Sequence, residues 1–315
     1  MGSVWKNSRV MKLFAIQTPI VQAGMVYVSG GKLAAAAANS GALGLIGAGS
    51  FKPAELHDQI IKAKSLTNAP FGVNLPLLYH GVEEQIDIAL KQGVRIFFTS
   101  AGSPKKYTGF LKDKGCVVVH VTSSPELAKK CEEAGVDAVV AEGFEAGGHN
   151  GRDEITTMVL IPQVVDTVKI PVIAAGGIGD GRGILAAMAL GASGVQIGSR
   201  YAATVESSAH DNFKNAIVKA GPGDTMLAMK GLVPVRLLKN KFYHDIAKLE
   251  LSGADNEIIK AHLGKGRARQ GMLGGDLIEG ELEIGQVSGM IKSVLTCQEL
   301  MNCFVDEYQK ARERI

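Results

Sequence analysis

Cysteine is scarce in this chain: four among 315 residues, at Cys116, Cys131, Cys297 and Cys303. Their spacing is irregular and includes no C-x-x-C, which indicates neither a disulfide framework nor a cysteine zinc site. They read as reduced, buried thiols, and a cytoplasmic location is expected. No window offers 18 uninterrupted apolar residues, and the opening MGSVWKNSRVMKLF lacks the apolar core of a signal peptide, so no membrane span is expected. Dense charge runs are missing too. The 34 basic and 31 acidic residues are spread along the chain and leave no electrostatic footprint for nucleic acid or a membrane surface. No histidine pair has H-E-x-x-H spacing, and no glycine loop matches G-x-x-x-x-G-K-[ST]. A catalytic metal and nucleoside triphosphate hydrolysis are therefore not indicated.

What the chain does have is glycine, 39 residues of it, with 46% hydrophobic and 21% charged residues. That composition excludes disorder and suits a fold with many tight turns between strands and helices. The length fits one α/β barrel with an appendage. From residue 14 onward short β-rich runs alternate with helix-like segments. The candidate strands are 20–22, 43–47, 71–74, 96–99, 117–121, 138–140, 172–175 and 194–197. Helix candidates between them include 32–40, 54–65, 82–91, 104–112, 125–134, 158–168 and 181–190, several followed by a glycine (Gly41, Gly93, Gly115, Gly135, Gly191) able to end a helix. Eight strands with crossover helices predict an α/β fold, a closed (β/α)8 TIM barrel over residues 14–205. A doubly wound open sheet is the competitor, but it usually opens with an early G-x-G-x-x-G turn. Beyond about Val205 the chain turns helix-rich, in segments 207–220, 242–264 and 287–311. Residues 206–315 are thus expected to form a helical C-terminal extension that caps the barrel.

The chemistry concentrates in Ala141-Glu-Gly-Phe-Glu-Ala-Gly-Gly-His-Asn-Gly151. It follows an apolar run, so Glu142 falls at a strand end and His149 on the glycine-rich loop after it, where α/β folds place their chemistry. Two more glycine-bearing strand ends follow: Ala175-Gly176-Gly177, and Gln196 with Gly198 and Ser199. Loops after strands seven and eight of a barrel commonly bind phosphate through backbone N–H groups. Earlier strand ends offer Gly24 and Met25, whose backbone could lie against a flat ring, and Asn74, which carries a donor and an acceptor. A planar heteroaromatic cofactor with a phosphate tail fits this set. His120, inside an apolar run, reads as a buried structural histidine.

These residues carry a resemblance. PIVQAGM, GALGLIGAG, PFGVNLPLL, TSAGSPKKY, AEGFEAGGHNG, PVIAAGGIGDGRG, GVQIGSRY and, later, GDLIEGELEIGQVSGMI together resemble the FMN-dependent family of nitronate monooxygenases and the flavin-dependent enoyl-[acyl carrier protein] reductase II of bacterial fatty-acid synthesis. The resemblance implies FMN, with NADH or NADPH as co-substrate and a monovalent cation held by backbone carbonyls. It implies an enoyl group carried on acyl carrier protein, with nitronate oxidation by O2 as the alternative. His149 would then supply the proton to the α-carbon of the enoyl thioester, and Glu142 would orient the flavin ribityl chain. An acidic carrier protein calls for a basic dock, for which Lys105, Lys106, Arg236, Lys239, Lys241, Lys265, Arg267 and Arg269 are candidates. A homodimer is expected, because a helical tail must cover apolar surface.

Overall fold

The computed structural model describes Trp5 and residues 8–315. Residues 1–4, 6 and 7, which belong to the opening stretch read above, lie outside the described residues. Runs of β-branched and aromatic residues form β1 (Ile20–Gln22), β2 (Leu43–Gly47), β3 (Phe71–Pro76), β4 (Ile96–Ser100), β5 (Val117–Thr122) and β6 (Ala138–Glu142). A two-residue strand, β7 (Gly148–His149), stands apart, and β8 (Val172–Ala175) and β9 (Gly194–Ile197) complete the barrel. All eight barrel strands pair in parallel, and β9 closes on β1 with Val21 opposite Gln196. The eight expected strands begin at the residues read from the sequence, and β3 to β6 run one or two residues further.

Successive side chains on a strand point to opposite faces, and here both faces are buried. Val21, Leu45, Phe98, Val119, Val140 and Ile173 fill the barrel. Val73, Leu75, Phe97, Val118, Val139 and Ala141 instead face the surrounding helices. The helix Arg9–Phe14 plugs the floor with Val10 and Phe14, whose ring centroid lies 5.8 Å from that of Phe98. Extending the alternation to the strand ends turns Asn74, Glu142 and Gln196 towards the barrel axis at the mouth. The five glycines singled out as helix terminators all have φ between 71° and 98°.

The last 110 residues are not wholly helical, which corrects the expectation. Strand β10 (Thr225–Ala228) pairs antiparallel with β11 (Val235–Leu238), and β11 pairs antiparallel with β7. Sequence periodicity missed β11 because Val-Arg-Leu-Leu is buried on every residue and shows no alternation. The expected helix 242–264 is two helices, Lys241–Leu251 and Asn256–Leu263, parted by Gly253 at φ 73° and by Asp255, which caps the second through Ile258 N at 2.9 Å. The final helix, Cys297–Arg312, belongs to the barrel wall and not to a cap. It packs on helices Gly181–Ala189 and Gly31–Asn39 and buries Leu300, Met301, Phe304 and Tyr308. That seat is open because only the four-residue helix Ser199–Ala202 follows β9 directly. Among the described residues no helix is long and apolar enough to cross a membrane.

Phe14 is buried to 2% exposure at the barrel floor. Phe14→Ala should cost about 3–5 kcal/mol in urea unfolding. A loss under about 1 kcal/mol would show that the plug does not pack the floor.

Candidate active site

The open end of the barrel gathers the strand-end residues. Glu142 is half-buried beside a crevice lined by Ser123, Phe144, Gly151, Glu154 and Ile155. No charge compensates it, and burial alone pushes its carboxyl up to about 7. Among the described residues no hydrogen-bond or ion-pair partner engages its carboxyl.

His149 does not lie on a free loop. As the second residue of β7 it pairs with Val235, while Gly148 pairs with Arg236. The ladder continues on both sides, from Asn150 N to Pro234 O at 2.9 Å and through an antiparallel bridge between Leu237 and Glu283. Glu283 is thereby laid against Gly148, and a side chain at Gly148 would begin 2.6 Å from a Glu283 carboxylate oxygen. Solvent reaches the imidazole, yet surrounding protein lowers its pKa below the ordinary value, against an upward pull from Glu281. Burial and the charge of Glu283 push Glu281 upward, and burial raises Glu283. Tyr27 after β1 and Tyr79 after β3 are raised first by burial, and both sense the two glutamates. His149 senses Glu281, Glu283 reaches the neighbouring Gly148, and Glu142 senses neither glutamate.

A separate part of the mouth is backbone-rich. Gly176 and Gly177 take φ of 86° and 68° in succession, the region that side chains disfavour, and so form a concave turn of amides. Among the described residues no acceptor engages the N–H of Gly177 or of Ser199. Thr157 ties this turn to the β6 loop, its hydroxyl donating to Gly176 O at 2.9 Å and its N–H to Glu145 at 2.9 Å. Across the mouth, the Ser199 hydroxyl accepts from Gly285 N at 2.9 Å, and Gln286 N donates to Glu145 O at 3.0 Å. The Asn74 amide donates to Gly24 O at 3.1 Å, and a Cβ at Gly24 would sit 2.4 Å from that of Asn74, so this glycine is dictated by close approach. Met25 reaches the end of β9, its sulfur 3.4 Å from where a Gly198 side chain would start. Ala175 and Gln196 are buried at the ends of β8 and β9.

Two expectations fail. Arg236 is 1% exposed and cannot dock a partner: its guanidinium lies 4.5 Å from the Phe144 ring centroid and donates twice to Phe144 O, at 3.0 and 3.1 Å. Cys303 is exposed, unlike the other three thiols. Arg267 is drawn inward over Phe242 at 4.7 Å; Lys241 is exposed but paired with Asp245 and Glu279, Lys106 is exposed and 4.0 Å from Glu83, and Lys105, Lys239, Lys265 and Arg269 are exposed. His120 is structural as expected, buried on the helix side with Nδ1 2.7 Å from the Thr99 hydroxyl, and burial lowers its pKa to about 4. Glu281, Glu283, Tyr27 and Tyr79 were not singled out from the sequence. The alternation Glu281-Leu-Glu-Ile284, apolar residues buried and carboxyls on the other face, was the available signal.

A family model described as nitronate monooxygenase matches residues 7–307. FabK from Thermotoga maritima superposes with a TM-score of 0.94 at 38% identity, over 98% of each chain. A curated relative from Rhodococcus jostii (strain RHA1), (3aS,4S,5R,7aS)-5-hydroxy-7a-methyl-1-oxo-octahydro-1H-indene-4-carboxyl-CoA dehydrogenase, is 33% identical over 95% of each chain. A probable nitronate monooxygenase from Staphylococcus aureus (strain Newman) is 34% identical over 78% of this chain and 82% of its own.

The Glu142 carboxyl titrates near 4.5 when solvated and is pushed up to about 7 in the fold, so between these values the folded state binds more protons. The stability tied to this group is fully present below about 4.5 and is lost as pH rises through about 7. Thermal unfolding of the ligand-free protein should therefore move to lower temperature across that window, and less so in Glu142→Gln. Equal slopes for the two proteins would mean that the carboxyl ionises freely.

Proposed function

The chain belongs to the nitronate monooxygenase family, and from that premise we propose that it is an FMN-dependent oxidoreductase that reduces the Cα–Cβ double bond of an enoyl thioester carried on acyl carrier protein, with NADH or NADPH as reductant. The observation that carries this reading is the company of His149. An alkyl nitronate is an anion, and a mouth that sets Glu281 and Glu283 beside an imidazole held towards its neutral form opposes a second negative charge. A neutral enoyl thioester meets no such opposition and needs the proton that such a cluster can deliver. The Rhodococcus relative, named as a dehydrogenase of a carboxyl-CoA compound, also supports a thioester substrate.

The residues fit FMN in chemistry and place. The paired positive-φ glycines Gly176 and Gly177, with Gly198 and Ser199, would hold its phosphate through unengaged amides. Gly24, Met25, Asn74, Ala175 and Gln196 would frame its ring, and Glu142 would orient the ribityl hydroxyls. FMN bound there would supply hydride to the substrate β-carbon. His149 would donate the proton to the α-carbon, and the segment around Gly285, clamped between Ser199 and Glu145, would narrow the mouth against bulk water. We assign residues 14–205 to the cofactor barrel and 206–315 to the substrate side, apart from the final helix, which completes the barrel wall. The exposed Lys105, Lys106, Lys239, Lys265 and Arg269 are proposed to meet the acidic carrier protein, and the exposed apolar Leu251 and Ile258 a second copy.

The second reading, oxidation of alkyl nitronates by O2, rests on the family description and the Staphylococcus relative. Turnover separates them: nicotinamide oxidation coupled to loss of crotonyl-CoA or an enoyl carrier-protein thioester is expected. Oxygen uptake with propionate 3-nitronate and no enoyl turnover would overturn the proposal. His149→Ala should keep FMN and its reduction by nicotinamide while slowing reoxidation by the enoyl substrate roughly 100-fold. Reoxidation at the wild-type rate would make His149 a structural residue, and loss of FMN would make it a cofactor ligand.

A further inference from the structure

We propose that Glu281 and Glu283 hold a shared proton beside His149 and act as positioning residues that keep the imidazole supplied with it during turnover. The proposal rests on the reading of His149 as proton donor. It stands first on backbone geometry. Leu237 bridges to Glu283 one ladder step beyond the Arg236–Gly148 pair, so the Glu281–Glu283 segment continues the line of β7 along the edge of β11. Leu282 and Ile284, each 2% exposed, turn into the core, which sends Glu281 and Glu283 to the opposite face, and Glu283 reaches Gly148.

The second ground is what surrounds the pair. His149 acts on Glu281 from β7 and Arg267 from the segment before it, Tyr27 and Tyr79 sense both carboxyls from the loops after β1 and β3, and Arg269 acts on Tyr27. Arg267 pulls the Glu281 carboxyl down, but among the described residues neither arginine bonds either carboxyl. Arg267 bonds Glu279 and the carbonyls of His262 and Leu263, and Arg269 forms no salt bridge among the described residues. Two carboxyls two residues apart on one face, with burial raising both, favour keeping a proton between them, because ionising the second places like charges together. The proton then belongs to a cluster of three groups rather than to His149 alone.

The transfer balances simply. A carboxyl O–H bond breaks and an N–H bond forms on the imidazole, whose proton makes the new C–H bond at the substrate α-carbon. The carboxylate left behind is reprotonated from solvent. With hydride at the β-carbon, two hydrogens have been added, and NADH or NADPH is the electron source.

Glutamine replaces a protonated carboxyl almost isosterically, so Glu281→Gln should fold. In the holoenzyme its reoxidation by crotonyl-CoA should fall at least about 10-fold at about pH 8 and stay within about twofold of wild type at about pH 6, because the alkaline limb moves towards the lowered pKa of His149 alone. Nicotinamide-driven flavin reduction should not change, and Glu281→Asp should recover part of the alkaline rate. A loss equal at all pH values, or none, overturns the proposal. Wild-type protein that is not reoxidised by enoyl thioester at any pH condemns the functional reading instead. Independently of turnover, difference infrared spectra of the wild-type protein should show a protonated carboxyl at neutral pH that disappears on alkalinisation and is diminished in Glu281→Gln. Its absence from the wild type would refute the shared proton.

Discussion

Three backbone pairings across β11, Val235 with His149, Arg236 with Gly148 and Leu237 with Glu283, hold together a mouth that the barrel alone would leave open. They draw a late segment of the chain over the end of β6 and set a histidine against two glutamates. The cost of this closure is the desolvation of several ionisable groups, and the shifts of His149, Glu281 and Glu283 follow from it. Arg236 shows how the seam tolerates its own buried charge. Its guanidinium stacks on Phe144, a contact worth up to roughly 2 kcal/mol when desolvated, and both of its bonds go to the carbonyl of that same residue. A cation satisfied by a ring and a carbonyl forms no salt bridge with Glu281 or Glu283 among the described residues.

The mouth divides by chemistry. On one side lie glycine turns with unengaged amides, which suit an anion held without a lysine. On the other lies a cluster of groups whose ionisation burial has moved towards neutrality, which suits proton transfer. Glu142 belongs to neither cluster, and its shift has burial as its only cause.

The barrel was legible because its signals are local. Each strand is a short apolar run, each of the five marked αβ turns carries its glycine, and all eight strands begin where the runs predicted. Glycine turns such as Ala175-Gly176-Gly177 were legible for the same reason. The small sheet was not, because β11 lies 86 residues beyond its partner His149 and has no alternation of its own. Arg236 shows the limit of reading charge by type: beside Lys239 and Lys241 it looks like surface, and only the fold stacks it under Phe144. The paired glutamates sat in plain alternation with Leu282 and Ile284, but nothing in the sequence said that their polar face would meet an imidazole more than 130 residues earlier.

The central claim is that this site adds hydride and a protein-delivered proton across an enoyl thioester. The most direct measurement is the position of label in the product formed from crotonyl-CoA in deuterium oxide with unlabelled nicotinamide. Butyryl-CoA carrying one solvent deuterium at the α-carbon and a β-hydrogen of nicotinamide origin is the predicted result. No butyryl-CoA, with oxygen consumed when an alkyl nitronate is supplied instead, would contradict it.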